Sequence, residues 1–566
     1  MTDQILPNKK QLEILKHIYG PQIIIAGPGT GKTATLILKI NKLVNELKIP
    51  HQNILALTFT NKAVNEINQR LGLPDFGYTF HSFCSYILKT KNISYKIIPD
   101  HQRKKIINVI SSQFGLRFQE VEVGISRYKN LADYKIDKKI ILEYEKILQK
   151  EGFWDFDDLL IKTYFLLKND DAVRLQKLKK YKFIFIDEFQ DTSKIQYELI
   201  KLFVGGSRNI CVIGDPNQSI YSFRGADSAI FDQFKNDFPV CKIFYLNENY
   251  RNNSKIIEII NQIFPKQSIT GIKNDFYDVA LVNTLNQNTQ AQWIIDFINS
   301  KIGGVNLQNA SSTSEKLDNN IRFSDFAVIY RNHEHAVTVK KKLFNLGAPY
   351  QVIGEDSLFF REETKIIYKI IKYLLDNNYE ITTDEINLSK QINLDKKFSE
   401  TIPSLINLLL SNSKNKDEEY LVDFGLLINE FDHYENSYQK FIEYYDFMLA
   451  NDSYDEKSDK INLLTMHSAK GLEFNYVFLC FFNNGFIPSK FETDEDKRLF
   501  YVSVSRAKKG LFLISPKTYK KRDLYASNYK QFFNLPDVRY IEDENMAREQ
   551  KRINKQKLKK SQIKLF

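Results

Sequence analysis

The stretch Gln22-Ile23-Ile24-Ile25-Ala26-Gly27-Pro28-Gly29-Thr30-Gly31-Lys32-Thr33-Ala34 limits what this chain can fold into more than any other segment. An apolar strand runs into glycines. From Lys32 to about Glu46, apolar residues then recur at Leu36, Ile37, Ile40, Leu43, Val44 and Leu47, the spacing of a helix with one buried face. Glycines in such a turn let backbone N–H groups close around phosphate oxygens, with a lysine in reach of the β- and γ-phosphates and a hydroxyl on Mg²⁺. The candidate nucleotide-binding residues are therefore Ala26, Gly27, Gly29, Thr30, Gly31, Lys32, Thr33 and Ala34, with Ala26 standing where this motif begins with glycine. Further apolar strands are predicted at Ile54–Leu57, Phe183–Ile186 and Ile210–Ile213, and strands separated by helices imply a parallel α/β sheet.

Phe183–Ile186 ends in Asp187-Glu188. A carboxylate at a strand end can hold the Mg²⁺ shell and its neighbour can deprotonate water, so Asp187 takes the metal role and Glu188 that of the general base. With the phosphate loop, this pair points to nucleoside triphosphate hydrolysis.

The length of 566 residues allows roughly three to five domains. A second set of strands is expected at Ile243–Leu246, Ala327–Tyr330, Ile461–Leu464, Tyr476–Leu479 and Leu511–Ile514. Residues from about 90 to 178 and from about 376 to 457 read as helical interruptions of the two sheets. Residues 306–320 read as a polar surface loop, and those from about 545 onward as a basic flexible tail. The longest apolar run, Tyr476–Phe482, spans seven residues, far below the roughly 20 a membrane helix needs. Met1-Thr2-Asp3-Gln4 lacks the basic start of a signal peptide, so a cytoplasmic protein that avoids membranes is expected. Cys84, Cys211, Cys241 and Cys480 form no C-x-x-C pair and read as small core residues.

The net charge of +11 suits a polyanionic partner such as nucleic acid. Among the basic residues there are 63 Lys and only 17 Arg. Arginine supplies a planar fork where lysine supplies a point charge, so the few arginines mark positions of geometric recognition.

Around the two nucleotide motifs stand LALTFTNKAVNEI (55–67), TFHSF (79–83), DEFQDTS (187–193), VIGDPNQSIYSFRGAD (212–227), LNENYRNN (246–253), INLLTMHSAKGLEF (461–474) and KRLFYVSVSRA (497–507). In this order they resemble the motifs of superfamily 1A DNA helicases of the UvrD/Rep/PcrA type, over nearly the whole chain apart from the helical insertions and the tail. The resemblance implies an α/β fold of two RecA-like P-loop NTPase domains in tandem, each with a mostly helical insertion, and ATP between them. On that pattern, 1–89 and 179–240 form the first RecA-like domain and 90–178 its insertion. Residues 241–375 and 458–540 form the second, 376–457 its reduced insertion and 541–566 the tail.

The roles implied by the resemblance pass to matching positions. Gln11 reads adenine and Tyr250 stacks on it; Glu473 contacts the ribose; Gln218 senses the γ-phosphate; Arg251 and Arg506, expected in the second domain, neutralise it. Thr58, Phe59, Asn61, His81, Tyr221, Phe223 and His467 contact single-stranded DNA, with Phe223 where relatives commonly carry Trp. Arg224, Arg331, Arg361 and Arg498 couple or support these sites.

The implied activity is ATP- and Mg²⁺-dependent translocation 3′ to 5′ on single-stranded DNA, with unwinding of tailed duplex in repair, replication or recombination. About 80 residues separate Leu375 from Ile461, a short second insertion that favours a translocase weak in unwinding alone. Two other readings are the helicase subunit of a Gabija-like defence complex with a separate nuclease partner, and a DNA-binding scaffold with a degenerate ATPase. The intact Lys32, Thr33, Asp187, Glu188, Gln218, Arg251 and Arg506 oppose the scaffold; an RNA substrate is a further possibility. At the C-terminus, Gln562-Ile563-Lys564-Leu565-Phe566 resembles a bacterial sliding-clamp-binding peptide in which Gln562 makes polar contacts and Leu565 and Phe566 fill a pocket.

Overall fold

The computed structural model describes residues 6–73, 76–172, 174, 179–204, 209–222, 225–226, 229–273, 278–302, 321–353, 362–376, 379, 381–390, 392–394 and 458–543, with scattered positions between 401 and 445. The expected loop at 306–320, most of the second insertion, Phe223, Arg224, Arg361, the tail from 544 and the terminal Gln562, Leu565 and Phe566 lie outside the described residues.

The chain divides into two compact units, Met1–Tyr277 with Glu492–Lys508, and Asp278–Phe491 with Lys509–Phe566. The first is built on strands β1 (Gln22–Ala26), β2 (Ile54–Thr58) and β3 (Gly77–Thr79). After a short pair, β4 (Lys96–Ile97) and β5 (Phe153–Trp154), come β6 (Phe183–Ile186), β7 (Ile210–Gly214) and β8 (Lys242–Leu246). The order β3-β2-β6-β7-β1-β8 is parallel throughout. β2, β6 and β7 are buried along their whole length, as continuous apolar runs require when helices cover both faces. One face packs Leu55, Ile184 and Val212 on the helices Phe80–Lys89 and Lys194–Val204, and the other packs Ile24, Phe185 and Ile213 with Leu36 and Ile40 of the helix Lys32–Asn41.

β8 corrects one expectation. Ile243–Leu246 was assigned by sequence to the second strand set, yet it pairs with β1, Ile23 opposite Ile243 and Ile25 opposite Tyr245. As an edge strand it buries only Phe244 and Leu246, so its apolar pattern carried no mark of which sheet it joins. The units also part from the expected boundaries at 241–277 and 492–508, which pack with the first unit. The hydrogen bonds there explain it: Arg498 Nε donates to the Ser219 carbonyl at 2.7 Å, and Asn252 Nδ2 to the carbonyls of Ser505 and Ala507 at 2.9 and 2.6 Å. A small parallel pair, β9 (Glu248–Asn253) and β10 (Thr270–Lys273), lies in the same segment.

The second unit carries β11 (Asp278–Asn286), β12 (Phe326–Tyr330), β13 (Tyr350–Ile353), β14 (Ile461–Thr465), β15 (Phe474–Cys480), β16 (Ala507–Tyr519), β17 (Arg522–Asp523) and β18 (Arg539–Glu542). Its order is β13-β14-β12-β15-β16-β11-β18, parallel between neighbours, with β17 antiparallel on β16. Val328, Leu463, Phe478 and Phe512 face the helices Gln287–Ile302 and Val337–Asn345 in one core. β11, β13, β17 and β18 lie outside the strands expected from the sequence. The α/β class with parallel sheets agrees with the sequence.

Between β4 and β6, four helices (Asp100–Phe114, Phe118–Lys129, Lys138–Glu151 and Phe156–Asn169) fill most of the segment 90–178. Ile107, Ile110, Val121, Ile125, Tyr144 and Leu148 form its separate core. Beside that core the Lys129 ammonium is 2.8 Å from Asp155 and 3.0 Å from Asp158, all three buried, and Tyr144 donates to Asp155 at 2.9 Å. Burial alone would lower the Lys129 pKa, but the charges of Asp155, Asp158 and Glu145 outweigh it and raise it. Lys129→Met leaves the buried carboxylates without their cation and should cost roughly 3–5 kcal/mol, read as an earlier urea transition.

Candidate functional site

The phosphate loop occupies the turn from β1 into the helix Lys32–Asn41. Thr30 Oγ1 donates to the Gly27 carbonyl at 2.8 Å and closes the loop on itself. Gly29 has φ +66°, and a Cβ there would meet Arg251 Cβ at 2.6 Å and Asn249 Nδ2 at 2.7 Å. It thus answers two constraints, a left-handed backbone and a crowded neighbour. Lys32 Nζ lies 3.4 and 3.3 Å from the carbonyls of Ala26 and Gly27, over the loop.

β6 lies two strands from β1 in the sheet and ends beside the loop. Asp187 N donates to the Leu57 carbonyl, and Thr33 Oγ1 donates to Asp187 Oδ2 at 3.3 Å, joining the two predicted Mg²⁺ ligands. Burial, reinforced by the charge of Glu188, pushes the Asp187 carboxyl up to about 7, against the opposing pull of Lys32 and Thr33. A buried carboxylate and a hydroxyl are hard oxygen donors, which fits Mg²⁺, an ion bound by one or two protein oxygens with water and substrate phosphate completing its shell. Glu188 takes φ +50°, a left-handed backbone unusual outside glycine and costly enough to be held by its surroundings.

Between these strands, β7 delivers Asp215 and Gln218. Gln218 Nε2 donates to Asp215 Oδ2 at 2.8 Å, and Tyr501 Oη donates to the same oxygen at 3.0 Å. Burial raises the Asp215 pKa, and the charge of Lys32 and these hydrogen bonds oppose the rise.

The adenine candidates also meet. Asn8 caps the helix Lys9–Lys16 that carries Gln11, and Gln11 Nε2 donates to Thr35 Oγ1 at 3.0 Å. Asn8 Nδ2 donates to Tyr250 Oη at 2.7 Å, while the Tyr250 N–H donates to the Gly29 carbonyl at 2.9 Å. The Tyr250 ring remains 40% exposed, free to take a planar base. Asn249, next in the chain, is fully buried and donates to the Pro28 carbonyl at 2.6 Å and to Asn252 Oδ1 at 2.8 Å. Asn252 continues to Ser505 and Ala507, on either side of Arg506. The Arg506 guanidinium is buried, donating to the Val502 carbonyl at 2.9 Å and to Ser505 Oγ at 2.7 Å. Arg251 and Arg506 therefore pack within the compact unit that holds the phosphate loop.

Of the DNA-contact candidates, Thr58 is wholly buried at the end of β2, its hydroxyl without a hydrogen-bond partner among the described residues, so it does not face solvent as a strand contact would. Asn61, at the start of the next helix, is exposed. Phe59 and Tyr221 stack on each other, centroids 5.3 Å apart and planes 16° apart, both half-buried. His81 lies edge-on to Phe156 at 6.2 Å. His467, just after β14, is half-buried, and Glu473, just before β15, is exposed; both belong to the second unit.

Sequence reasoning passed over Gln190, Asp215, Asn249, Asn252 and Tyr501, although each lies inside a quoted motif word.

Residues 7–114 and 94–239 match the UvrD/REP helicase N-terminal domain, and residues 244–445 and 411–518 the UvrD-like helicase C-terminal domain. The chain is 28% identical to a probable DNA helicase II homolog of Mycoplasma pneumoniae, over 94% of this chain and 87% of that protein. It is 29% identical to the Mycoplasma genitalium counterpart, over 96% and 89%. To the ATP-dependent DNA helicase PcrA of Staphylococcus aureus it is 25% identical, over 89% and 82%. Tyr501→Phe would leave the buried Asp215 one donor short and should lower stability by about 1–3 kcal/mol, measurable as a shift of the urea midpoint.

Proposed function

The chain belongs to the UvrD/REP helicase family, and from that premise we propose that it hydrolyses ATP to move 3′ to 5′ along single-stranded DNA and to open tailed duplexes. One observation carries the reading: neighbouring strands β6, β7 and β1 bring Asp187 and Glu188, Gln218 and Lys32 to one edge of a parallel sheet, where α/β folds bind their ligands. A scaffold without hydrolysis would have no use for these groups together.

In this reading the loop N–H groups and Lys32 bind the β- and γ-phosphates of ATP, and Gln11 and Tyr250 hold the adenine. Bound through Thr33 and Asp187, Mg²⁺ would supply charge neutralisation on the phosphate oxygens. Glu188 takes the proton of the attacking water. Gln218, Arg251 and Arg506 offset the negative charge that grows on the γ-phosphoryl group, where fixed donors stabilise the transition state most. Glu473 and His467 keep the ribose and strand roles that the family pattern implies.

On the DNA side, Phe59, Tyr221 and His81 are the candidate surface for bases, and Asn61 replaces Thr58 as the polar contact to the backbone. A stacked Phe59–Tyr221 pair offers an aromatic face whatever the base, as sequence-independent tracking demands.

The test is ATP turnover with and without single-stranded DNA, followed by unwinding of 3′-tailed and 5′-tailed duplexes. Turnover stimulated by DNA and unwinding of the 3′-tailed substrate are expected; unwinding confined to 5′ tails would overturn the polarity. Lys32→Ala should abolish turnover and weaken nucleotide binding. Glu188→Gln should bind ATP and turn over roughly 10²–10⁴ times more slowly. Phe59→Ala should weaken single-strand binding by about 1–3 kcal/mol in a fluorescence titration, with the thermal transition unchanged.

A further inference from the structure

Gln190 is an uncharged side chain with 0% exposure, set between the acidic pair and the end of β7. Its amide has one orientation. Oε1 accepts the Asp215 N–H at 2.9 Å, so that end must be the oxygen, and the NH₂ end then donates to Glu188 Oε2. The Gln190 carbonyl is held in turn by Ser219 Oγ at 3.1 Å. Both ends of the residue are thereby fixed to the segment Asp215–Ser219, which carries Gln218.

A second observation points the same way. At Gly214 a Cβ would stand 2.2 Å from Gln190 Oε1, and the backbone there is not left-handed. Its lack of a side chain makes room for the Gln190 amide; backbone conformation does not require it.

Glu188, for its part, leaves β6 through a strained φ, so its carboxylate direction is not set by regular backbone alone. A donor on Oε2 fixes how the carboxylate is turned relative to the β7 end.

We propose that Gln190 is a positioning residue for hydrolysis: its amide orients the Glu188 carboxylate and ties that orientation to the β7 end bearing Gln218. The amide exchanges no proton; it acts through Glu188, and the inference rests on Glu188 being the general base. It adds to that reading a hydrogen-bonded path from Glu188 through Gln190 and Asp215 to Gln218.

The experiment is a turnover cycle on the full chain at saturating ATP and single-stranded DNA, using wild type, Glu188→Gln, Gln190→Met and the double variant. Nucleotide affinity is measured in parallel by equilibrium titration with a fluorescent ATP analogue. Methionine keeps the length of glutamine and removes both amide contacts. Gln190→Met should lower kcat by about 10- to 100-fold, the scale of a misaligned reacting group, with the nucleotide Kd within about threefold. In the Glu188→Gln background the same change should cost less than about twofold, because the group it orients no longer acts as a base.

Turnover of Gln190→Met within about twofold of wild type would overturn the proposal, as would losses that simply multiply in the double variant. Full turnover by Glu188→Gln would instead remove the base assignment itself, a different failure. Should Gln190→Met melt early, Gly214→Ala, which displaces the amide from the neighbouring strand, carries the same cycle with the same expected and overturning results.

Discussion

Parallel pairing of β6 with β7 and of β7 with β1 is the constraint on which the first unit depends. Adjacent strands lie about 4.8 Å apart, so three chain segments distant in sequence end side by side on one edge. The register sets Ile24 opposite Ile213 and Ile186 opposite Val212, and the residues that follow each strand inherit those positions. Asp187, Asp215 and the phosphate loop are each the first turn after a strand. Hydrophobic burial of the strands and placement of the polar groups are one event, because the same ladder does both.

The polar groups brought together this way are costly on their own. Asp187 and Asp215 are buried carboxylates, and burial raises both pKa values. The structure offsets the cost locally with hydrogen bonds from Thr33, Gln218 and Tyr501 and with the charge of Lys32. The two aspartates differ in a useful way. Asp215 is surrounded by fixed donors and serves as a structural knot, whereas among the described residues Asp187 receives the Thr33 hydroxyl and its own neighbour's N–H. The less satisfied of the pair stands where a cation is expected. Lys129 solves the opposite problem in the helical segment, a buried cation offset by Asp155, Asp158 and Glu145.

Asparagine side chains do what backbone pairing cannot at the irregular end of β1. Asn249 and Asn252 satisfy the carbonyls of Pro28, Ser505 and Ala507, which belong to loops with no ladder to join. Buried carbonyls need donors, and an amide side chain reaches where no strand runs. The consequence is a continuous hydrogen-bonded path from the phosphate loop to the backbone that flanks Arg506.

The sequence by itself determined the local events. Apolar runs fixed β1, β2, β6 and β7, and glycines followed by Lys32 and Thr33 fixed the phosphate turn, because strand burial and a tight turn need those residue types within a few positions of one another. Motif words fixed which residues to inspect. Tertiary structure alone decided the partners: that Ile243–Leu246 edges the first sheet, that Arg251 and Arg506 pack with the loop-bearing unit, that Thr58 faces inward, and that Gln190 joins Glu188 to Asp215. An apolar tetrapeptide buries equally well on either sheet, and an amide can donate to any acceptor in reach. Almost all of these choices depend on contacts between residues tens to hundreds of positions apart, and a periodicity read over one segment contains no information about them.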